Sequence, residues 1–198
     1  MAVREVILPF PAHVHPIRAI RSTVIVGSFA VLRENQLFDA YASALPTEKR
    51  ELLVHIVAGA WIPLELALVH YAACDSLELP HDTIAQFGRG VFDRIRGTLL
   101  GTTVRMAREA GVTPWTVLPH LQRFWDRAYQ GGGLSVIKLG PKEARGDVIQ
   151  APICDSVYFR HALRGLLAGV LELFCNKAYV SLLQTQAPAS VAYQMQWA

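Results

Sequence analysis

Ser190-Val191-Ala192-Tyr193-Gln194-Met195-Gln196-Trp197 alternates apolar and polar side chains without a break. A period of two puts Val191, Tyr193, Met195 and Trp197 on one face of a β-strand and turns that face toward a core. Just upstream, residues 178–186 are rich in β-branched and aromatic types. Ala187-Pro188-Ala189 supplies the reversal, because proline cannot donate to a ladder. The two segments therefore predict a hairpin. Leu134–Leu139 and Asp147–Ala151 predict a second one, with the Gly, Pro and charged residues of Gly140–Gly146 as the connecting loop. Between the hairpins Asp155 can cap a helix. On that helix Phe159, Leu163, Leu166, Val170, Leu173 and Phe174 share one side, with Arg160, His161, Arg164 and Glu172 on the other. Residues 133–198 thus read as an antiparallel ββαββ unit, with residues 1–132 a mainly helical part in front of it. The expected fold class is α+β, in a single domain spanning residues 1–198.

Composition narrows what such a domain can do. The 198 residues are 52% hydrophobic and only 18% charged, an apolar surplus that a large core, an interface or an apolar pocket can absorb. The net charge of +3 is small and the basic residues are scattered, which argues against nucleic-acid binding. Cys74, Cys154 and Cys175 are odd in number, far apart and form no CxxC pair, the pattern of reduced thiols in a cytoplasmic protein. Residues 1–11 lack the long apolar stretch of a signal peptide.

Along the helical part, residues 3–10 suit an edge strand or arm ending at Pro9 and Pro11. His13 and His15 lack a third ligand nearby, so no metal is expected. Residues 29–45 suit a helix stopping before Pro46, and Thr47 resembles an N-cap. Leu52–Cys74 is the most apolar run, but Glu65, Pro63, His55 and His70 argue against a membrane span. Two buried helical pieces broken at Trp61-Ile62-Pro63 fit it better. A core helix is expected from Pro80-His81-Asp82-Thr83 to Ala110, with Asp82 or Thr83 as cap. Its Gly88, Gly90, Gly97 and Gly101 suggest close approach of another element. Thr113-Pro114-Trp115 opens a short segment, a helix follows over 120–129, and Gly131-Gly132-Gly133 reads as a flexible joint. Trp61, His70, Trp125 and Tyr129 are the candidate lining of any ligand pocket, being amphipathic rings in apolar surroundings.

Catalytic signatures are missing. There is no G-x-S-x-G elbow, HExxH or EF-hand loop, and the seven histidines are dispersed, with His161 on the polar side of its helix. An enzyme is not expected.

Helices ahead of a ββαββ unit, in a chain of this length, resemble the superfamily that joins haem-nitric-oxide-binding domains, 4-vinyl-reductase-like domains and the TRAPP subunits of Golgi transport. Val26-Gly27, Leu45-Pro46, Trp61-Ile62-Pro63 and Phe87-Gly88-Arg89, followed by that unit, resemble more closely a bacterial family of unassigned function within it, over residues 21–197. The resemblance implies a sensory or regulatory domain, non-enzymatic, binding a small apolar or amphipathic ligand. Its alternative is an interaction module, a homodimer or a subunit of a larger assembly. Haem-binding members carry a Tyr-x-Ser-x-Arg motif for the propionates and this chain does not, so no cofactor is expected and haem is disfavoured. Cysteines are also missing near the final hairpin, where vinyl-reductase-like members carry them, so no metal is expected there.

Overall fold

In the computed structural model, which describes residues 5–99, 112–185 and 187–198, five antiparallel strands form the main sheet in the order β1-β5-β6-β8-β7. They are β1 (Glu5–Leu8), β5 (Gly133–Gly140), β6 (Glu143–Ile149), β7 (Ala178–Leu183) and β8 (Val191–Trp197). The alternation that predicted β8 is realised in burial. Val191, Tyr193, Met195 and Trp197 are all buried, and the Tyr193 hydroxyl donates to the Arg160 carbonyl at 2.8 Å, so this face meets the helix that crosses the sheet. That helix, Val157–Glu172, is designated α8.

The hairpin of β5 and β6 is tighter than expected. Residues 143–146 belong to β6, with Ala144 paired to Lys138 and Gly146 to Val136, and only residues 141–142 make the turn. The Arg145-Gly146-Asp147 tripeptide is therefore strand. Gly146 is accommodated because the methyl of Met195 packs over its bare Cα, 3.0 Å from where a Cβ would stand. Asp155 does not cap α8. Ser156 does, its hydroxyl accepting from the Phe159 amide at 3.1 Å. Ser156→Ala is expected to cost about 1 kcal/mol, the usual worth of such a cap, read as a lowered melting temperature.

The helical part contains α1 (Ser22–Glu34), α2 (Phe38–Ala44), α3 (Thr47–Val54), α4 (Leu64–Asp75), α5 (His81–Leu99), α6 (Pro114–Val117) and α7 (Leu121–Ala128). A second antiparallel sheet ties it together, with β2 (Ala19–Arg21) between β3 (Trp61–Pro63) and β4 (Tyr129–Gln130). The helix expected over 29–45 begins earlier and is interrupted, because Gln36 takes a positive φ of 59° between α1 and α2. The break at Trp61-Ile62-Pro63 is β3, whose Ile62 pairs with Ile20. Thr47 opens α3 without a side-chain cap, after Pro46. Because α5 begins at His81, Asp82 lies in its first turn and is not its cap; its expected course beyond Leu99, with Gly101, lies outside the described residues. Gly131 and Gly132 are no loose joint. Their φ values of 104° and 73° are left-handed, and a Cβ on Gly131 would stand 2.4 Å from the Pro16 carbonyl oxygen. No helix among the described residues is long and apolar enough to cross a membrane.

Layering follows from these contacts. The inner face of the five-stranded sheet carries α8, α5 packs on α8, and α1 packs on α5 through Gly27, whose Cβ position is 3.1 Å from Val91.

Candidate functional site

The core between α1, α4, β4 and α8 is apolar except where four hydroxyls converge. Ser28, Tyr71, Tyr129 and Tyr158 surround a void of about 40 Å³ that Val24, Gly88 and Phe159 help to close. Ser28 and Tyr158 share a 3.0 Å hydrogen bond across it. Burial holds all three phenols well above the usual tyrosine range, so they stay protonated at any physiological pH. Phe159 presents its ring edge-on to Tyr71 at 5.2 Å.

One helical turn away stands His70, fully buried. Its Nδ1 is 2.9 Å from the Tyr41 hydroxyl, and its Nε2 lies 3.8 Å from Cys74 Sγ. Phe29, Tyr41 and Tyr71 pack around the imidazole at ring-centre distances of 5.0 to 5.5 Å. Desolvation drives its pKa from 6.5 to about 3, so the ring is neutral. Burial also pushes the Cys74 thiol far up, which makes it inert. Tyr41→Phe removes the partner of a buried ring nitrogen. It is expected to cost about 1–3 kcal/mol in a urea titration, the penalty for an unsatisfied buried polar group.

The wall of this region is the crossing of α5 and α8, where backbone meets backbone. A Cβ on Gly88 would lie 1.8 Å from the Ala162 carbonyl oxygen, and one on Gly165 would lie 1.8 Å from that of Ala85. The two contacts are reciprocal, and Gly169 adds a third against Phe92 at 2.6 Å. At the start of α5, His81 stacks on His161 with ring centres 3.9 Å apart, beside the 2.7 Å ion pair of Arg164 with Asp82. His161 is thus not on a solvated face. It is 9% exposed, its Nδ1 has no hydrogen-bond partner, and burial with the neighbouring His81, Arg164 and Arg160 lowers its pKa to about 4. Further along, Arg89 pairs with Glu172.

The four residues singled out from the sequence are not gathered in one place. Tyr129 lines the void. Trp125 stacks on Tyr129 at 4.1 Å and donates from its indole nitrogen to the Gly131 carbonyl at 2.8 Å, so it supports the void from outside. His70 belongs to the neighbouring Tyr41 and Cys74 cluster. Trp61 is half-buried on β3 under the Arg21 guanidinium, 4.2 Å from its ring centre, well apart from both. Ser28, Tyr71 and Tyr158 went unseen, because each sits on an apolar helix face where a hydroxyl reads as core filler. Gly88 was the one legible signal. No group of three or more His, Cys, Asp or Glu suited to a metal occurs among the described residues.

No family model matches the chain, and no curated protein matches it. The likeness is in structure. An H-NOX protein from K. algicida in its unliganded Fe(II) state superposes with a TM-score of 0.61 at 11% identity, covering 90% of this chain and 97% of that one. The H-NOX protein of T. tengcongensis gives 0.60 at 12%, with 90% and 96% covered. A protein described for redox tuning of haem through porphyrin distortion gives 0.59 at 9%, with 90% and 100% covered. The chain has the fold of the haem-nitric-oxide-binding domains. These neighbours do not bear on the closer likeness to a bacterial family of unassigned function.

One expectation is overturned. With no propionate motif in view, no cofactor was expected and haem was disfavoured, yet the similar structures are haem proteins, so haem is the cofactor to which the fold points. The side chains as packed do not make a slot for it. Ligand pockets run to about 300–1,000 Å³, the void holds about 40 Å³, and both ring nitrogens of His70 face protein groups. A ligand of that size enters this interior only if α5 parts from α8.

Proposed function

We propose that this chain is a non-enzymatic sensory domain that seats a small apolar or amphipathic ligand beside the void, between α1, α4, β4 and α8, by separation of α5 from α8. The observation that carries the reading is the convergence of Ser28, Tyr71, Tyr129 and Tyr158 on a cavity whose outer wall is held by bare glycine contacts rather than interlocked side chains. Few polar groups in an apolar recess suit recognition of such a ligand. Haem is the first probe because the fold's solved relatives are haem proteins. Native mass spectrometry of gently purified protein, before and after incubation with haem, tests it, with the absorption spectrum recorded alongside. An added mass that survives desalting is the expected result. A bare mass under every condition, with no Soret band, counts against it.

A second reading rests on a different observation. Leu52 and Val57, on and after α3, are 58% and 76% exposed, and Leu68 on the adjoining α4 is 36% exposed. Apolar exposure of this kind suits a protein interface, most simply with a second copy of the chain. Light scattering that gives a strict monomer, with Leu52→Glu changing nothing, would dispose of it.

A further inference from the structure

The outer face of the five-stranded sheet, turned away from α8, bears a groove of about 370 Å³. Tyr193 points to α8, so its strand neighbours point away. The register then places Ser135 opposite Asp147, and Ile137 opposite Arg145, on the outer side. Phe10, beyond β1, walls one flank, and the β7–β8 connection walls the other.

Two donors on this floor have no partner among the described residues. Asp147 grips one edge of the Arg145 guanidinium, with Nε donating to both carboxylate oxygens at 3.0 Å and Nη2 to Oδ1 at 2.7 Å. The grip fixes the guanidinium plane and leaves the Nη1 edge unpaired. Ser135 is only 5% exposed, lines the groove, and its hydroxyl makes no hydrogen bond. Diagonal neighbours on one sheet face lie about 7 Å apart, so one small acceptor group can meet both donors. Ile137 and the half-exposed Leu139 continue from there as an apolar strip, with Phe10 also on the groove.

We propose that this groove is a binding site for a medium-chain amphipathic monocarboxylate, its head on Arg145 Nη1 and Ser135 and its chain along Ile137, Leu139 and Phe10. The single charge follows from Asp147, which already neutralises most of the guanidinium field and would repel a dianion. At 370 Å³ the groove lies in the usual ligand range, on the opposite side of the sheet from the void. It does not depend on the sensory reading.

Calorimetry with decanoate as the probe, and methyl decanoate as its neutral comparator, tests the site on the full chain. Decanoate is expected to bind at least about tenfold more tightly than the ester, the worth of one charge-assisted hydrogen bond. Replacing the pair together, Arg145→Gln with Asp147→Asn, orphans no carboxylate and is expected to weaken decanoate about tenfold while leaving the ester unchanged. Leu139→Glu, at an exposed position, is expected to abolish decanoate binding with an unaltered circular dichroism spectrum. The proposal is overturned by an absence of binding, by ester binding as tight as the acid, or by decanoate affinity indifferent to these variants, which would place it in the α5–α8 interior.

Discussion

Gly88→Ala is expected to lower unfolding free energy by about 3 kcal/mol or more, at the upper end of what overpacking costs, despite the roughly 1 kcal/mol by which alanine improves a helix. The sign is secure because the added methyl would meet main chain. The nearest atom, the Ala162 carbonyl oxygen at 1.8 Å, belongs to the backbone of α8 and has no rotamer to change. Relief requires the helices to separate, with loss of the packing along the crossing. Gly165→Ala is expected to do the same from the other side, against Ala85. The two together should cost less than their sum, since one displacement relieves both. Gly90→Ala is the comparator on the same helix. Its nearest neighbour is a methyl of Val31 at 3.3 Å, which can give, so its effect should stay within about 1 kcal/mol. Urea midpoints of the three variants check the order.

Acid should destabilise the protein through His70 more than through any other histidine. In the fold its pKa is about 3 against 6.5 when free, so the unfolded chain takes up the proton first. Stability is therefore intact above pH 6.5, declines as pH falls below it, and reaches its full loss only near pH 3. The whole loss from this one group is on the order of 4 kcal/mol. His161, with a folded pKa of about 4, acts in the same direction over the upper part of that window. The double variant Tyr41→Phe with His70→Phe removes the titrating ring and its partner together. Its urea midpoint should change less between pH 6.5 and 4 than that of the parent, and equal slopes would contradict the assignment.

How much could be read beforehand depended on whether burial was periodic. β8 alternates strictly and β7 nearly so, and the apolar stripe of α8 includes Phe159 and Leu163, so the ββαββ unit was visible. Gly140–Gly146 misled because composition was weighed above pairing. Gly146 is tolerated in the middle of β6 by Met195, and Arg145 and Asp147 satisfy one another on the outer face. His161 misled for a related reason. Its helix face is polar by sequence, but α5 lies on it and His81 covers the ring. The candidate site was only partly legible. Gly88 announced a close crossing, whereas Ser28, Tyr71 and Tyr158 come from two helices far apart in sequence and meet only after folding. The propionate motif, taken as the test for haem, proved a poor guide to the fold, which superposes on haem domains at 9 to 12% identity.

The central claim is that ligand entry parts α5 from α8. Hydrogen–deuterium exchange of the amides in residues 81–94 and 157–172, with and without haem as the probe, measures this directly. Faster exchange confined to those two segments on haem addition, while β5, β6 and β8 stay protected, is the predicted result. Bound haem with unchanged exchange along both helices would contradict it.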